Sequence, residues 1–492
     1  MSFAIAAGHD ATADTAQEIL KIGGNAFDAA IAAFMTAFVA EPCMVSGGGG
    51  AFANIRKADG TCQLFDFFCQ TPRNKKSLEQ IEFLPIEVNF GTATELFHIG
   101  KGAVGVPGSI AGIFSMHEHL GSIPMADLVQ LPIQYAKEGV AVNNFQAEDM
   151  DLLKEILKHT EYGRSLFYKN ENIAKRGDVI KMPHLADFLD QMAREGQEFF
   201  YKGEIAQKIV DDQQEGGHLI MEDFENYKVI IREPLSFEYR EKKIFTNPLP
   251  SIGGTLIAHD LNALEKMKLA EFPMGRDYII KLYEAFLASE NLDRRPTALA
   301  RSFQQLLASN KKHGSTTHFN IVDKWGNAVS LSSTIGEGSG YFVEGTDIQL
   351  NNMLGEAALL PDGFHSWLPD TRLSSMMAPT IVVNKNDRLE VVTGSGGASR
   401  IPSAITQVLH NLFDYKASVD DAVNRPRVHL GHGVFNIEPG FNAEISGNSI
   451  KETVKLWNEQ SLFFGGVHTI ACDGGALYAS GDERRDGVIR VE

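Results

Sequence analysis

Two adjacent threonines, Thr316 and Thr317, stand directly in front of a run in which apolar and polar residues alternate. If the chain were cut between Ser315 and Thr316, one residue would carry both a hydroxyl and a free α-amino group. An α-amino group has a pKa of about 7.7 to 8.0, so it can accept the hydroxyl proton near neutral pH. Thr316 is therefore a candidate nucleophile that supplies its own base. Packing alone is the alternative, because β-branched residues favour strands wherever they occur.

A second stretch with chemical potential is the glycine-rich loop Gly394–Arg400, which follows a strand-like run and opens a predicted helix at Pro402. Backbone N–H groups in a loop before a helix N-terminus form an anion site. The attack of a hydroxyl on a carbonyl creates an oxyanion, so this loop is a candidate oxyanion hole.

The sequence predicts a β-hairpin as the support for the threonines. The run His318–Asp323 alternates, the turn Lys324–Asn327 contains Gly and Asn, and Ala328–Ser333 alternates back. Thr316 is then expected at the leading edge of the hairpin. The polar segment Asn310–Ser315 in front of it is predicted to be exposed and flexible, and a cut could occur there.

Helices are predicted around a second glycine run, Ser46–Gly50, and through the middle of the chain. Loops that cradle phosphate connect a strand to a helix and carry a Lys-Ser or Lys-Thr pair, whereas this run precedes the strand Ala51–Ile55 without that pair. We therefore favour glycines that let the backbone approach a ligand or another strand. The predicted helices include Ala11–Ile22, Phe27–Ala40, Ser109–Leu120, Met125–Glu138, Glu148–Lys158, Leu185–Glu195, Glu204–Asp212 and Arg276–Ser289.

Composition narrows the function classes. The chain has 492 residues, of which 43% are hydrophobic and 22% charged, with a formal net charge of −18 and a pI near 5.3. An acidic chain is a poor partner for nucleic acid or for an anionic membrane surface, since both require a basic face. The N-terminus has no basic region before its short apolar run, so we expect a cytoplasmic protein.

Neither metal nor disulfide chemistry is favoured by the spacing of potential ligands. His117 and His119 lie two residues apart on a predicted helix and would point to different faces. The cysteines show no Cys-x-x-Cys spacing and no cluster; they are Cys43, Cys62, Cys69 and Cys472. We expect no metal ion and no organic cofactor, because the nucleophile, the base and the oxyanion donors would all come from the chain.

Across nearly its whole length the chain resembles the gamma-glutamyltransferase family, which includes gamma-glutamyltranspeptidases, glutathione hydrolases and related acylases. The matching stretches occur in family order, which makes the resemblance specific. They are Gly23–Ala30, Ser46–Gly50, Asn247–Gly254, Thr316–Val329, Leu350–Asn352, Arg372–Thr380, Val392–Arg400 and Leu477–Asp482.

The resemblance implies an α+β protein with the fold of N-terminal nucleophile (Ntn) hydrolases, a four-layer αββα sandwich. It also implies a proenzyme that cuts itself between Ser315 and Thr316. A large fragment 1–315 and a small fragment 316–492 would then remain intertwined in one composite domain as a heterodimer, which could dimerise further.

The resemblance assigns roles to individual residues. Thr316 would be the nucleophile, oriented by the hydroxyl of Thr334. The main-chain N–H groups of Gly397 and Ala398 would form the oxyanion hole. Ser374 and Ser375 would form a serine pair that holds the carboxylate of the substrate.

Several positions depart from the family pattern. Phe68 stands where the family places an arginine that pairs with the substrate α-carboxylate, and Gly336 replaces an asparagine. Met353 follows Asn352 at a position that is often polar, and Glu356 replaces the aspartate that binds the substrate amine. We expect these residues to shape an altered acyl pocket, into which either of two other cations could reach, namely Arg73 and Arg372. The segment from 356 to 372 is also short for the family's lid loop.

The predicted activity is hydrolysis or transfer of a γ-glutamyl group, as in glutathione, from a small-molecule amide through an acyl-enzyme. A related acylase that acts on another acyl amide, such as a β-lactam side chain, an oxamate or a γ-linked peptide, is the alternative. A third possibility is an uncleaved binding protein that has kept the fold.

Overall fold

The computed structural model describes residues 3–89, 94–292, 316–357, 359–360, 362–441 and 450–492. Ser315 and the segment Asn310–Ser315 lie outside the described residues. The hairpin that follows Thr316 occupies the middle of a seven-stranded antiparallel sheet. In spatial order its strands are Ile230–Arg232, Cys62–Phe67, Gly50–Arg56, Ala328–Thr334, Thr317–Val322, Ala4–Ala7 and Val488–Val491.

The predicted hairpin is confirmed, and its alternation has a clear physical cause. Phe319 and Leu331 pair across the hairpin and belong to the apolar core shared with the helices near the N-terminus. The polar residues between them face the other way, since Ser330 Oγ donates to the carbonyl of Thr393 at 2.9 Å and Asn320 Nδ2 donates to the carbonyl of His468 at 2.8 Å. Both acceptors belong to a second sheet.

The second sheet is six-stranded and antiparallel. It packs face to face on the first through this partly polar layer. Its strands, in spatial order, are Leu235–Tyr239, Lys242–Thr246, Thr380–Val383, Leu389–Gly396, Gly466–Asp473 and Ala476–Ser480.

Helices cover the outer face of each sheet. Asp10–Lys21 and Ala26–Ala40 share an apolar cluster with the first sheet, and every residue of Ala26–Ala40 is buried. On the second sheet, a separate cluster joins its strands to the covering helices, which are Gly253–Lys266, Arg276–Glu290 and Arg400–Phe413. The layers therefore run helix, sheet, sheet, helix, which confirms the predicted αββα sandwich.

Smaller elements surround this sandwich. The short strands are Leu84–Asn89, Thr94–Ile99, Val140–Ala141, Tyr168–Lys169, Asn172–Ile173, Val179–Ile180, Phe342–Val343, Ile348–Gln349, Val428–Gly431, Val434–Ile437 and Thr453–Leu456. The remaining α-helices are Ser109–Leu120, Met125–Leu128, Gln130–Glu138, Asn144–Leu152, Lys154–Leu157, Glu161–Phe167, Pro183–Glu195, Glu198–Tyr201, Glu204–Gln213, Met221–Glu225 and Val419–Asn424. Within the described ranges, no helix is both long enough and apolar enough to cross a membrane.

The structure corrects the prediction that a loop covers Gly394–Arg400 and that a helix opens at Pro402. The strand Leu389–Gly396 continues through the first glycines, and the helix begins at Arg400. The strand requires glycine at position 394, because a Cβ there would lie 2.2 Å from the ring of His318. The connection between strand and helix is therefore only Gly397, Ala398 and Ser399.

The glycine run Ser46–Gly50 is confirmed as a place of close backbone approach. A Cβ on Gly48 would lie 2.2 Å from the carbonyl oxygen of Gln349, and one on Gly49 would lie 2.5 Å from that of Thr334. These contacts hold the strand that ends at Thr334 against the segment around Leu350–Asn352, and both reach the site described next.

Candidate active site

Thr316 is buried at the start of the inner strand Thr317–Val322, with 3% of its surface exposed. Its carbonyl oxygen accepts a hydrogen bond of 3.0 Å from Nη1 of Arg485. The same carbonyl packs on Gly396, where a Cβ would lie only 2.0 Å away. The main chain of Thr316 is thus fixed from two sides.

A buried carboxylate holds the next residue. Thr317 Oγ1 donates to Oε2 of Glu41, and Thr12 Oγ1 donates to Oε1 of Glu41 at 2.9 Å. Burial raises the pKa of Glu41, against the hydrogen bonds from the two threonines and the charge of Arg485. Glu41 therefore ties the helical layer to the residue beside Thr316.

Thr334 ends the partner strand of the hairpin and shares a pocket with Thr316. Its Oγ1 accepts a hydrogen bond of 2.8 Å from the main-chain nitrogen of Gly336. That bond orients the hydroxyl of Thr334 at the place where the strand turns away.

The connection between the strand Leu389–Gly396 and the helix Arg400–Phe413 uses left-handed backbone. Gly397 has φ 111° and Ala398 has φ 52°. For a residue with a Cβ this conformation costs about 1 to 2 kcal/mol, and such strain is concentrated at functional sites. Ala398 lines the pocket with Thr316, whereas Gly397 packs against Gly465, whose Cα would lie 2.8 Å from a Cβ.

The pocket gathers most of the predicted site residues. Its wall combines polar and small groups with a larger apolar part. The polar and small members are Thr316, Thr334, Glu356, Ser375 and Ala398, and the apolar members are Phe68, Met353, Leu359, Met376, Met377 and Ile401.

Two of the predicted substrate-binding residues lie outside this lining. Ser374 is buried next to Ser375. Asn352 is held by the protein itself, because its Oδ1 accepts from the nitrogen of Glu337 at 2.9 Å and its Nδ2 donates to the carbonyl of His98 at 3.2 Å. The structure therefore gives Asn352 a supporting position behind the pocket wall.

The loop that contains Ser374 and Ser375, here called the serine loop, is held in place by the segment Asn247–Gly254. Ser251 Oγ donates to the carbonyls of Ser375 and Met377 at 2.9 and 3.0 Å. Asn247 Nδ2 also donates to the carbonyl of Met377, at 2.9 Å. Ser375 Oγ accepts from the nitrogen of Met377 at 3.0 Å, so its hydroxyl proton is directed away from that nitrogen.

Glu356 is the acidic group of the pocket and is buried. Within the described part of the chain, its Oε1 has no hydrogen-bond partner. Burial raises the pKa of Glu356 well above the ordinary value, with a further contribution from the charges of Glu337 and Glu95. The carboxyl group reaches this position because residue 336 is glycine: a Cβ there would lie 2.0 Å from Glu356 Oε1.

Neither cation that could replace the missing family arginine lines the pocket. Arg372 donates to the carbonyls of Phe68 and Lys228 and to the hydroxyl of Tyr227. Arg73 forms an ion pair of 2.9 Å with Asp370. Phe68 is fully buried and its ring stacks on Phe52 at a centroid distance of 5.3 Å, so this part of the pocket is apolar.

Sequence reasoning missed Arg485 and Glu41. Arg485 lies three residues beyond the recognised stretch Leu477–Asp482, and Glu41 directly follows the buried helix Ala26–Ala40. A charged residue directly after a wholly buried helix that is apolar apart from Asp28 and Thr36 is the one local signal that could have drawn attention to Glu41. In the part of the chain that the structure describes, no group of three His, Cys, Asp or Glu side chains is placed to hold a metal ion.

Comparison with known proteins identifies the family of this chain. The sequence model of the family described as gamma-glutamyltranspeptidase matches residues 12–289 and 287–491. The glutathione hydrolase proenzyme of Escherichia coli (strain K12) is 31% identical over 531 aligned positions, which cover 96% of this chain and 89% of that protein. This chain belongs to the gamma-glutamyltranspeptidase family. The predicted resemblance and the prediction of an enzyme are thereby confirmed.

Two further proteins are similar to this chain, one in sequence and one in fold. The capsule biosynthesis protein CapD proenzyme of Bacillus anthracis is 28% identical over 511 positions, covering 99% of this chain and 90% of the relative. The crystal structure of a cephalosporin acylase from Bacillus halodurans superposes with a TM-score of 0.82 at 22% identity, covering 99% of this chain and 95% of that one. At that identity the likeness establishes a shared fold.

Proposed function

We propose that this gamma-glutamyltranspeptidase family member is a self-cleaving threonine amidohydrolase that hydrolyses or transfers a γ-glutamyl-type acyl group through an ester on Thr316. The observation that carries the proposal is the meeting of Thr316, Thr334 and Ala398 at one pocket. The names of the relatives support it, since the Escherichia coli relative is a glutathione hydrolase proenzyme.

Self-cleavage comes first in this proposal. The hydroxyl oxygen of Thr316 attacks the carbonyl carbon of Ser315, the peptide C–N bond breaks, and the hydroxyl proton passes to the leaving nitrogen. Water then hydrolyses the resulting ester. The products are a carboxylate on Ser315 and a Thr316 that carries a free amine and a free hydroxyl.

The mature site would then act on an amide substrate. The α-amine of Thr316 takes the hydroxyl proton as the oxygen attacks the substrate carbonyl. The main-chain N–H groups of Gly397 and Ala398 stabilise the oxyanion, the substrate amine leaves with the proton, and an ester remains. Water completes hydrolysis, and an amine completes transfer. Arg485 and Glu41 serve this chemistry as positioning residues, because they hold the main chain of Thr316 and the side chain of Thr317.

A related acylase is the second candidate function. It is favoured by the apolar wall around Phe68 and Met353, where the family pattern has polar or charged residues. The acyl-enzyme chemistry at Thr316 would be the same, and the acyl group would differ.

The fragments 1–315 and 316–492 would stay together after cleavage. Each of the two sheets contains strands from both segments, so separation would require the sandwich to unfold.

In this proposal the nucleophile, the general base and the oxyanion donors all come from the chain itself. A cytoplasmic location stays a prediction.

The proposal is tested by the intact mass of freshly purified protein under denaturing conditions. We expect two species that divide between Ser315 and Thr316 and whose masses sum to the full chain plus one water. Thr316→Ala is expected to stay whole and to release no p-nitroaniline from γ-glutamyl-p-nitroanilide, because it lacks the attacking oxygen. Thr316→Ser keeps the hydroxyl and serves as the matched control that should still cleave.

Two results would overturn the proposal. A Thr316→Ala protein that is both cut and active would rule out Thr316 as the nucleophile. A wild-type chain that remains one species on long incubation would leave no free α-amine, and the uncleaved binding protein would then become the better hypothesis.

A further inference from the structure

The acyl pocket has a consistent charge pattern among the described residues that line it: one carboxyl group and no cation. The rest of the wall around Glu356 is formed by Thr, Ser and Ala and by apolar side chains such as Phe68 and Met353. A substrate carboxylate placed here would lose its hydration without gaining an opposite charge. An unpaired buried charge is among the most costly arrangements in a protein site.

The arginines nearest to the site are turned toward other groups. Arg485 donates to the carbonyl of Thr316. Arg400 donates through Nε to the carbonyl of Phe463 at 2.8 Å, and its guanidinium lies over the ring of that residue at 4.7 Å. With Arg372 and Arg73 engaged as described above, none of these four guanidinium groups lines the pocket.

Glu356 has the opposite requirement. Glu356 lines the pocket, and its buried Oε1 has no hydrogen-bond partner among the described residues. Glu337 and Glu95 add repulsion to the charged form of Glu356, although Glu95 also pairs with Arg400 at 3.7 Å. A buried carboxyl group in such surroundings is satisfied by a donor that carries positive charge, and an ammonium group supplies both.

We propose that this pocket selects an acyl group that carries an amino group for Glu356 but no carboxylate on the same carbon, as in a 4-aminobutyryl amide. The inference rests on the proposed function, because the acyl group must reach Thr316. It narrows the γ-glutamyl-type acyl group of the proposed function: a γ-glutamyl group carries an ammonium and a carboxylate on the same carbon, whereas this acyl group carries the ammonium alone.

A set of four p-nitroanilides tests the inference on the self-cleaved wild-type enzyme. The butyryl compound has neither charge, the 4-aminobutyryl compound has the ammonium alone, the glutaryl compound has the carboxylate alone, and the γ-glutamyl compound has both. We expect the highest kcat/KM for 4-aminobutyryl, with γ-glutamyl lower by at least about 100-fold, since an unpaired buried charge costs several kcal/mol and each 1.4 kcal/mol is a factor of ten.

Two variants assign the preference to named residues. Glu356→Gln should bring the ratio of kcat/KM for 4-aminobutyryl over butyryl down toward one. Phe68→Arg should raise the ratio for γ-glutamyl over 4-aminobutyryl at least tenfold, because it supplies the missing cation. Phe68→Leu is the matched apolar control, for which that ratio should stay as in the wild type.

The inference is overturned if the wild type prefers the γ-glutamyl compound, or if a fully cleaved enzyme turns over none of the four. Both outcomes leave self-cleavage at Thr316 intact. Failure of the proposed function would look different, because the intact-mass measurement would then show one uncut chain. The wild-type comparison decides the question even if Phe68→Arg does not fold.

Discussion

Gly336 and Glu356 share one small volume in the pocket wall. A Cβ on Gly336 would lie 2.0 Å from Glu356 Oε1 and 2.1 Å from Asn352 Oδ1. The family pattern has an asparagine and an aspartate at these two positions. The larger residue at 356 therefore accompanies the smallest residue at 336, and the two departures are best understood as one coupled change.

This coupling gives a prediction at the level of single residues. Gly336→Asn should lower kcat/KM on the preferred anilide about tenfold or more, because the added side chain displaces Glu356, and overpacking of this kind costs about 1 to 3 kcal/mol. Asparagine is the suitable probe since it tolerates the positive φ of 70° at this position. Steady-state kinetics of the single and double variants make the measurement.

The double variant Gly336→Asn/Glu356→Asp is the matched control. It should recover part of the loss, because the shorter acid vacates space next to residue 336, although Asn352 stays in place. If the loss of kcat/KM in the double variant equals the combined losses of Gly336→Asn and Glu356→Asp, the two residues act independently. That result would contradict the coupling.

The sequence predicted which residues line the pocket better than it predicted the side chains that hold them in place. Thr316, Thr334 and Ala398 stand in short motifs that can be recognised locally, and the pocket contains all three. Arg485 belongs to no such motif and contacts a residue 169 positions earlier. The question whether Arg73 or Arg372 could replace the family arginine could be answered only from coordinates, because the direction of a long side chain is set by tertiary partners such as Tyr227 and Asp370.

At the scale of elements, the segment Asn247–Gly254, which leads into the helix Gly253–Lys266, acts as a support for the serine loop. Ser251→Ala should remove both hydrogen bonds to the carbonyls of Ser375 and Met377. Those carbonyls keep other donors, namely the nitrogen of Ile252 and the amide of Asn247. We therefore expect a loss of stability of about 1 to 2 kcal/mol and a rise in KM with a smaller change in kcat, because in the proposed function Ser375 contacts the acyl group and does not react.

Thermal unfolding and the separate determination of kcat and KM measure these effects. Ser165→Ala is the control, since Ser165 is exposed and its Oγ makes one hydrogen bond, to the carbonyl of Tyr162. A fall in kcat at constant KM would contradict the supporting role of the segment Asn247–Gly254, as would the absence of any difference from the control.

Periodicity predicted the existence of elements well and their ends less well. Ser109–Leu120 was predicted with the observed bounds. The predicted helix Met125–Glu138 is divided into Met125–Leu128 and Gln130–Glu138, because the apolar spacing continues across a break that only the backbone reveals. The extension of the strand through Gly394–Gly396 was also missed, since glycine is unfavourable in strands except where close packing requires it, here against His318.

At the scale of the whole molecule, the polar layer between the two sheets contains two histidines that the fold keeps neutral. His318 bonds Ser332 Oγ at 2.8 Å and Asn320 Oδ1 at 3.0 Å. Burial lowers the pKa of His318 to about 3, helped by His468, and burial lowers the pKa of His468 to about 4. Near the same end of the sandwich, Arg427 and Arg484 hold the pKa of Asp482 well below its usual range, although burial opposes them.

These shifts predict how the two histidines make stability depend on pH. Between pH 6.5 and about 4 the unfolded chain binds protons at both histidines while the folded chain does not, so the histidines lower stability by about 2 to 3 kcal/mol per pH unit in that window. Buried carboxyl groups act in the opposite direction, because burial raises the pKa values of Glu41, Asp149 and Glu356 and the folded chain binds their protons first. Asp482 acts in the same direction as the histidines at lower pH, because its stabilisation is present above the unfolded pKa and is lost as the pH falls through the folded one. Above pH 6.5 neither histidine contributes a slope.

The Thr316→Ala variant, which is expected to stay uncut, is the suitable parent, since a single chain can refold without reassembly of two fragments. His468→Asn in this parent removes one of the two titrating histidines. The apparent thermal midpoint of the double variant, relative to that of its parent, should therefore be level above pH 6.5 and should rise steadily as the pH falls from 6.5 to 4.5. A double variant whose midpoint follows the same pH dependence as its parent would mean that His468 is not a group that unfolding protonates.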